Sequence, residues 1–114
     1  MRDQLFLMRP GFSIENRGPF YCGDSVSVEG LLSFFPKLRS VIDVHYVDFE
    51  RPRRPIAEWL GEENQSVPVL VLADEAAALG ADIELREARG RRFISNERMI
   101  RNYLSSRWTL PVAS

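Results

Sequence analysis

The chain has 114 residues, 45% hydrophobic and 27% charged. That composition fits one packed domain spanning 1–114 and excludes disorder. With 15 basic against 16 acidic residues the net charge is −1, so no global field draws the protein to nucleic acid or to an anionic membrane.

Along the chain, "QLFLM" (Gln4 to Met8) is a short apolar run whose length favours a buried strand. "RPGFSIENRGP" then reads as loop, broken by Pro and Gly. From Asp24 to Phe35, Val28, Leu31, Leu32 and Phe35 form one helical stripe, and Pro36 stops it. Gly30 inside that helix costs about 1 kcal/mol against Ala, and a close helix–sheet approach would explain it.

"VIDVHYVDF" (Val41 to Phe49) reads as a strand. Ile42, Val44 and Tyr46 share one face; His45, Val47 and Phe49 share the other. The cluster "RPRRP" (Arg51 to Pro55) reads as solvated loop charge, as does "REARGRR" (Arg86 to Arg92). Pro55 suits the first turn of a short helix, with Ile56, Trp59 and Leu60 inward and Gly61 past its end. "VPVLVLA" (Val67 to Ala73) is continuous enough for a central strand, with Pro68 at its start. It is also far short of the about 20 residues of a membrane span. "EAAALGAD" (Glu75 to Asp82) fits a surface insertion. "GRRFI" (Gly90 to Ile94) is a short strand, and "SNERMIRNYLSSRW" the last helix, capped by Ser95 or Asn96. Met99, Ile100, Tyr103 and Leu104 line its buried side.

The order is therefore β-α-β-α-β-β-α. A right-handed crossover makes the first two strands parallel, and the last two pair antiparallel around the insertion. The expectation is a mixed four-stranded sheet with helices on both faces.

Cys22 is the single cysteine, so no intramolecular disulfide forms. With no signal peptide, a reducing cytoplasm is the expected compartment. A thiolate is the reactive form of Cys, and the free N–H groups of a helix N-terminus favour it. Asp24 works against that, because a carboxylate there competes for the same N–H groups. Arg9 and Arg17 would add positive charge if the loop after the first strand folds over the site. The plain alternative for Cys22 is a small buried hydrophobe, and for Ser25 ordinary first-turn helix chemistry. His45 reads as a packed or edge residue rather than a base. One Cys and one His cannot make a protein-only tetrahedral Cys/His metal site.

"FYCGDS", "NQSVPVLVL" (Asn64 to Leu72) and "FISNERMIRNYL" (Phe93 to Leu104) together resemble the thioredoxin-like fold, and most closely monothiol glutaredoxins and glutathione-transferase N-terminal domains. "CGDS" is similar to the C-G-F-S motif of the former, with Asp24 in place of phenylalanine. The whole chain, with "LMRPGF" and "GEENQSVPVLVL", also resembles a bacterial family of thioredoxin-like proteins of unknown function. The resemblance implies Cys22 and Ser25 as the catalytic pair and a cis Val67–Pro68 bond presenting the Val67 main chain to a peptide. Ser95 and Asn96 would receive the γ-glutamyl end of glutathione, with Arg9 and Tyr21 completing the set.

Ser25 decides which redox chemistry is open. Lacking a second thiol, Cys22 would form a mixed disulfide with glutathione or a thiol protein, to be released by a thiol from solution. Iron–sulfur coordination is disfavoured, because the family's lysine before the cysteine is missing and Lys37 is the chain's one lysine. The expected function is that of a glutaredoxin-like thiol–disulfide protein; a glutathione-transferase-like activity is the other enzymatic form. The rival is a non-catalytic thioredoxin-fold interaction module. The Trp108–Pro111 tail is a candidate homodimer contact.

Overall fold

The computed structural model describes residues 1–73 and 83–114; the small-residue insertion expected at 75–82 lies outside the described residues. Strand β1 (Gln4–Met8) is buried along its whole length, as a central strand must be. Next comes a hairpin of β2 (Phe12–Ile14) and β3 (Arg17–Phe20). Helix α1 (Gly23–Phe34) and a short 3-10 turn (Pro36–Ser40) lead to β4 (Asp43–Val47). Then follow α2 (Arg54–Leu60), β5 (Val69–Val71), β6 (Arg86–Ala88), β7 (Arg91–Ile94) and α3 (Glu97–Arg107).

The main sheet is five-stranded and mixed, ordered β4-β1-β5-β7-β6. β1 runs parallel to β4, pairing Leu5 with Val44 and Leu7 with Tyr46, as the crossover through α1 requires. β5 pairs antiparallel with β1 and with β7. Alternation along β1 splits the interior in two. Leu5 and Leu7 join Val28 and Leu32 of α1 and Ile100 and Leu104 of α3 on one face. Phe6 joins Ile56 and Leu60 of α2 on the other, with Val69, Val71 and Phe93. The helices thus lie on both faces, as expected.

Two expectations are corrected. The "GFSIENRGPF" loop is a hairpin, with Glu15 and Asn16 at φ 51° and 64°. Those values define a two-residue turn with both centres left-handed, normally written Asn-Gly; Glu15 hides the signal. Gly18, at φ 134°, could not carry a Cβ, which would lie 2.8 Å from the Phe12 carbonyl oxygen. The second correction is the fifth strand. "REARGRR" is not solvated loop but the β6–β7 turn, with Arg89 and Gly90 left-handed at its tip. Its arginines pack on aromatic faces: Arg86 lies 5.3 Å from the Phe93 ring centre and Arg91 4.9 Å from that of Trp59. Charged side chains on this edge also discourage pairing with another chain. A Cβ on Gly30 would meet nothing within 4 Å, so no close approach explains that glycine, and nothing else in the structure does.

At the far end of β1 from Cys22, the buried Asp3 carboxylate accepts the Ala73 N–H at 2.8 Å. Burial raises this carboxyl above the usual carboxylate range; the Ala73 bond and the charge of Arg107 pull it back. The folded chain therefore holds the Asp3 proton more tightly than the unfolded chain does. That contribution to stability is complete below the ordinary value of about 3.9 and is lost as pH rises through the raised folded value. Asp3→Asn keeps the acceptor without the charge. Its urea midpoint should equal or exceed that of the parent at pH 7, with a gap that grows from about pH 4 upward. A lower midpoint at pH 7 would mean that Arg107 more than compensates the buried charge.

Candidate functional site

Cys22 is the N-cap of α1, in extended backbone at φ −86°, ψ 114°. Its Sγ accepts the Ser25 N–H at 3.4 Å, so sulfur fills the place usually held by a Ser or Asp oxygen. The thiol is free and half-buried. Ser25 is 3% exposed, and its hydroxyl oxygen accepts the Met8 N–H at 3.0 Å. That bond ties the first turn of α1 to the end of β1. The structure therefore gives Ser25, expected in a catalytic pair, a supporting position: its acceptor holds the scaffold under the thiol.

Two cavities flank this corner. The first, of about 250 Å³, is lined by Leu7, Met8, Pro10, Tyr21, Cys22, Ser25, Val26, Glu29 and Tyr46 and is almost wholly apolar. At its outer end Tyr46 donates its hydroxyl to Glu29 Oε1 at 2.7 Å, and Arg39 bonds both groups. Burial and the Glu29 bond raise the Tyr46 phenol above its ordinary value, so it stays protonated as the donor. The second cavity, about 630 Å³, is polar and open, lined by Asp24, Ser95, Asn96, Glu97, Arg98, Met99 and Asn102. Asn96 caps α3, its Oδ1 accepting the Met99 N–H at 3.0 Å. Asp24 and the Ser95–Asn96 pair, far apart in the chain, thus share one cavity beside Cys22. The Val67–Pro68 bond is cis. Pro68 is buried, and Val67 is half-buried against the core of Phe6, Ile56, Leu60 and Phe93.

Arg9 is not brought in. Its guanidinium pairs with Asp48 and donates to the Tyr46 carbonyl oxygen at 3.2 Å, and it lines neither cavity. The helix α1 corner lies beyond the end of β1, while Arg9 turns along the neighbouring strand. Arg17 stands exposed on β3. Tyr21, 65% exposed, does line the apolar cavity.

Arg53, in the "RPRRP" cluster that reads as solvated loop charge, is instead buried. It is 8% exposed. Its Nε and Nη2 donate to the Phe49 carbonyl oxygen at 3.0 and 2.7 Å, and Nη1 to the Gln65 carbonyl oxygen at 2.9 Å. Its own N–H donates to Gln65 Oε1. Among the described residues no carboxylate bonds this guanidinium. Burial holds it below its ordinary value and Arg51 adds to that, while the charges of Cys22 and Glu50 act the other way. Arg53 also clamps the segment before β5, the one that carries Val67 and Pro68. Phe49, its acceptor, stacks on Phe12 of the hairpin with ring centres 4.7 Å apart, so the hairpin and the Arg53 clamp pack together.

A family model described as "Protein of unknown function (DUF3088)" matches residues 2–112. The chain belongs to the DUF3088 family. No curated protein and no solved structure matches it.

In this DUF3088 protein the apolar cavity, the Glu29–Tyr46–Arg39 group and the buried Arg53 all escaped sequence reasoning. The one available signal was Pro on either side of "RPRRP", which fixes the backbone and makes a buried arginine easier to hold. Among the described residues no group of three or more His, Cys, Asp or Glu is placed to hold a metal ion, and no helix is long and apolar enough to cross a membrane.

Proposed function

We propose that this DUF3088 protein is a thioredoxin-like, glutaredoxin-type monothiol protein that exchanges disulfides with glutathione in a reducing cytoplasm. The observation that carries the reading is the placement of Cys22: a free, half-buried thiol that caps α1 and lines an apolar cavity, while Asp24, two residues on, lines a polar one. The thiolate attacks oxidised glutathione, one glutathionyl sulfur joins Cys22, and glutathione thiolate leaves. A second thiol from solution then attacks the mixed disulfide and restores Cys22, because Ser25 has no sulfur to do so.

The polar cavity suits the γ-glutamyl end. Free N–H groups at the start of α3 favour a carboxylate, and Asp24 and Glu97 in the same cavity favour the ammonium.

The test is intact-protein mass spectrometry after exposure to oxidised glutathione. A single glutathionyl adduct that excess reduced glutathione removes is the expected result. A chain whose thiol alkylates readily yet takes no adduct would sink the reading and favour the non-catalytic interaction module.

A further inference from the structure

The two cavities at the start of α1 differ in chemistry: Cys22 lines the apolar one, and Asp24 lines the polar one assigned above to the γ-glutamyl end of glutathione. The apolar one is walled by Leu7 and Met8 of β1, Pro10, Tyr21, Val26 of α1 and Tyr46 of β4. Tyr21, Val26 and Tyr46 keep 65%, 51% and 38% of their surface exposed, apolar area that folding leaves open around one depression. Its volume of about 250 Å³ exceeds the roughly 150 Å³ that already accommodates benzene. Its one formally charged lining residue is Glu29, whose carboxylate is held by Tyr46 and Arg39. An anionic group entering there would lose water and meet a carboxylate, whereas a neutral ring would only shed apolar surface.

We propose that this cavity binds the uncharged apolar half of a small aryl or alkyl disulfide, the partner that Cys22 exchanges with glutathione. The inference rests on the thiol-exchange reading above and adds the class of its second substrate. The balance is closed. The Cys22 thiolate attacks the apolar disulfide, forming a Cys22 mixed disulfide whose organic group sits in the cavity and releasing the other half as a thiolate. Glutathione thiolate, arriving from the polar cavity, attacks the mixed-disulfide sulfur that carries the organic group, forms the glutathione mixed disulfide and restores the Cys22 thiolate. The apolar disulfide is reduced and glutathione oxidised.

Two aryl disulfides of similar ring size provide the probe: neutral dithiodipyridine and dianionic dithiobis(nitrobenzoate). Their rates with the full chain are each divided by the rate with N-acetylcysteine, which removes leaving-group differences. The normalised neutral-to-anionic ratio should be about tenfold or more. Val26→Lys, at a helix-surface position that tolerates charge, should bring the ratio back toward one, because the added cation attracts the dianion and removes apolar wall; Phe34→Lys, exposed on the same helix away from the cavity, should not. A parent ratio near one, or a ratio that Val26→Lys leaves unchanged, overturns the proposal.

If Cys22 reacts with neither disulfide, the thiol-exchange reading fails by itself. The cavity is then judged by titrating benzyl alcohol into the Cys22→Ser chain. Shifts of the Val26 and Tyr46 NMR signals support a site for neutral apolar ligands, and their absence overturns it.

Discussion

Replacing Arg53 with methionine is expected to lower stability by about 2–4 kcal/mol, because the buried Phe49 and Gln65 carbonyls lose their charged donors. Relief of the cation's own desolvation offsets part of that loss, since burial already holds the guanidinium below its ordinary value. Lysine should rescue little. A single ammonium cannot reproduce the planar fork that reaches both carbonyls. Urea unfolding measures the effect. A loss under about 1 kcal/mol would mean that water replaces the guanidinium, and that the clamp on the segment before β5 is not a stability element.

Ser25→Ala should cost about 1–3 kcal/mol, the penalty of leaving the buried Met8 N–H without an acceptor. The readout that separates this from general loosening is local. Amide exchange at Met8 should accelerate more than at Leu5 or Leu7 on the same strand. Equal acceleration along the whole strand would mean that the hydroxyl only fills space. The Cys22 cap bond comes from the Ser25 main chain, so it persists in the variant. Ser25 thus ties α1 to β1 through its hydroxyl while lining the same apolar cavity as Cys22.

Periodicity disclosed the elements wherever a side chain's burial follows from its place in a regular repeat. The stripe Val28, Leu32 on α1, the alternation of β1 and the Val67–Ala73 run were each legible, and each became a wall of one of the two cores. The parallel β1–β4 pair followed from chain connectivity alone. The hairpin and β6 were not legible, because short strands outside the apolar runs depend on turn conformation, and Glu15 and Arg89 are poor advertisements for a left-handed turn. Of the candidate ligand residues, Tyr21 shares a cavity with Cys22, Ser95 and Asn96 share another with Asp24, and Arg9 went to Asp48. Arginine's length lets several partners compete for it, and the sequence carries no record of which one wins.

What the sequence determined by itself was the alternation of apolar elements, one thiol at the head of a helix, and the absence of a second thiol beside it. Those depend on residue identity and near neighbours. The tertiary structure alone decided that Arg53 is buried on the Phe49 and Gln65 carbonyls. It also decided that Ser25 serves β1, and that Tyr46 and Val26 leave an apolar space next to the sulfur. Each of these joins residues from different elements, and the contacts exist only after the sheet has brought β1, β4 and the loops around α2 to one end of the molecule. A charge in "RPRRP" is the same charge in water or in the interior; its meaning comes from the carbonyls that surround it once the chain has closed.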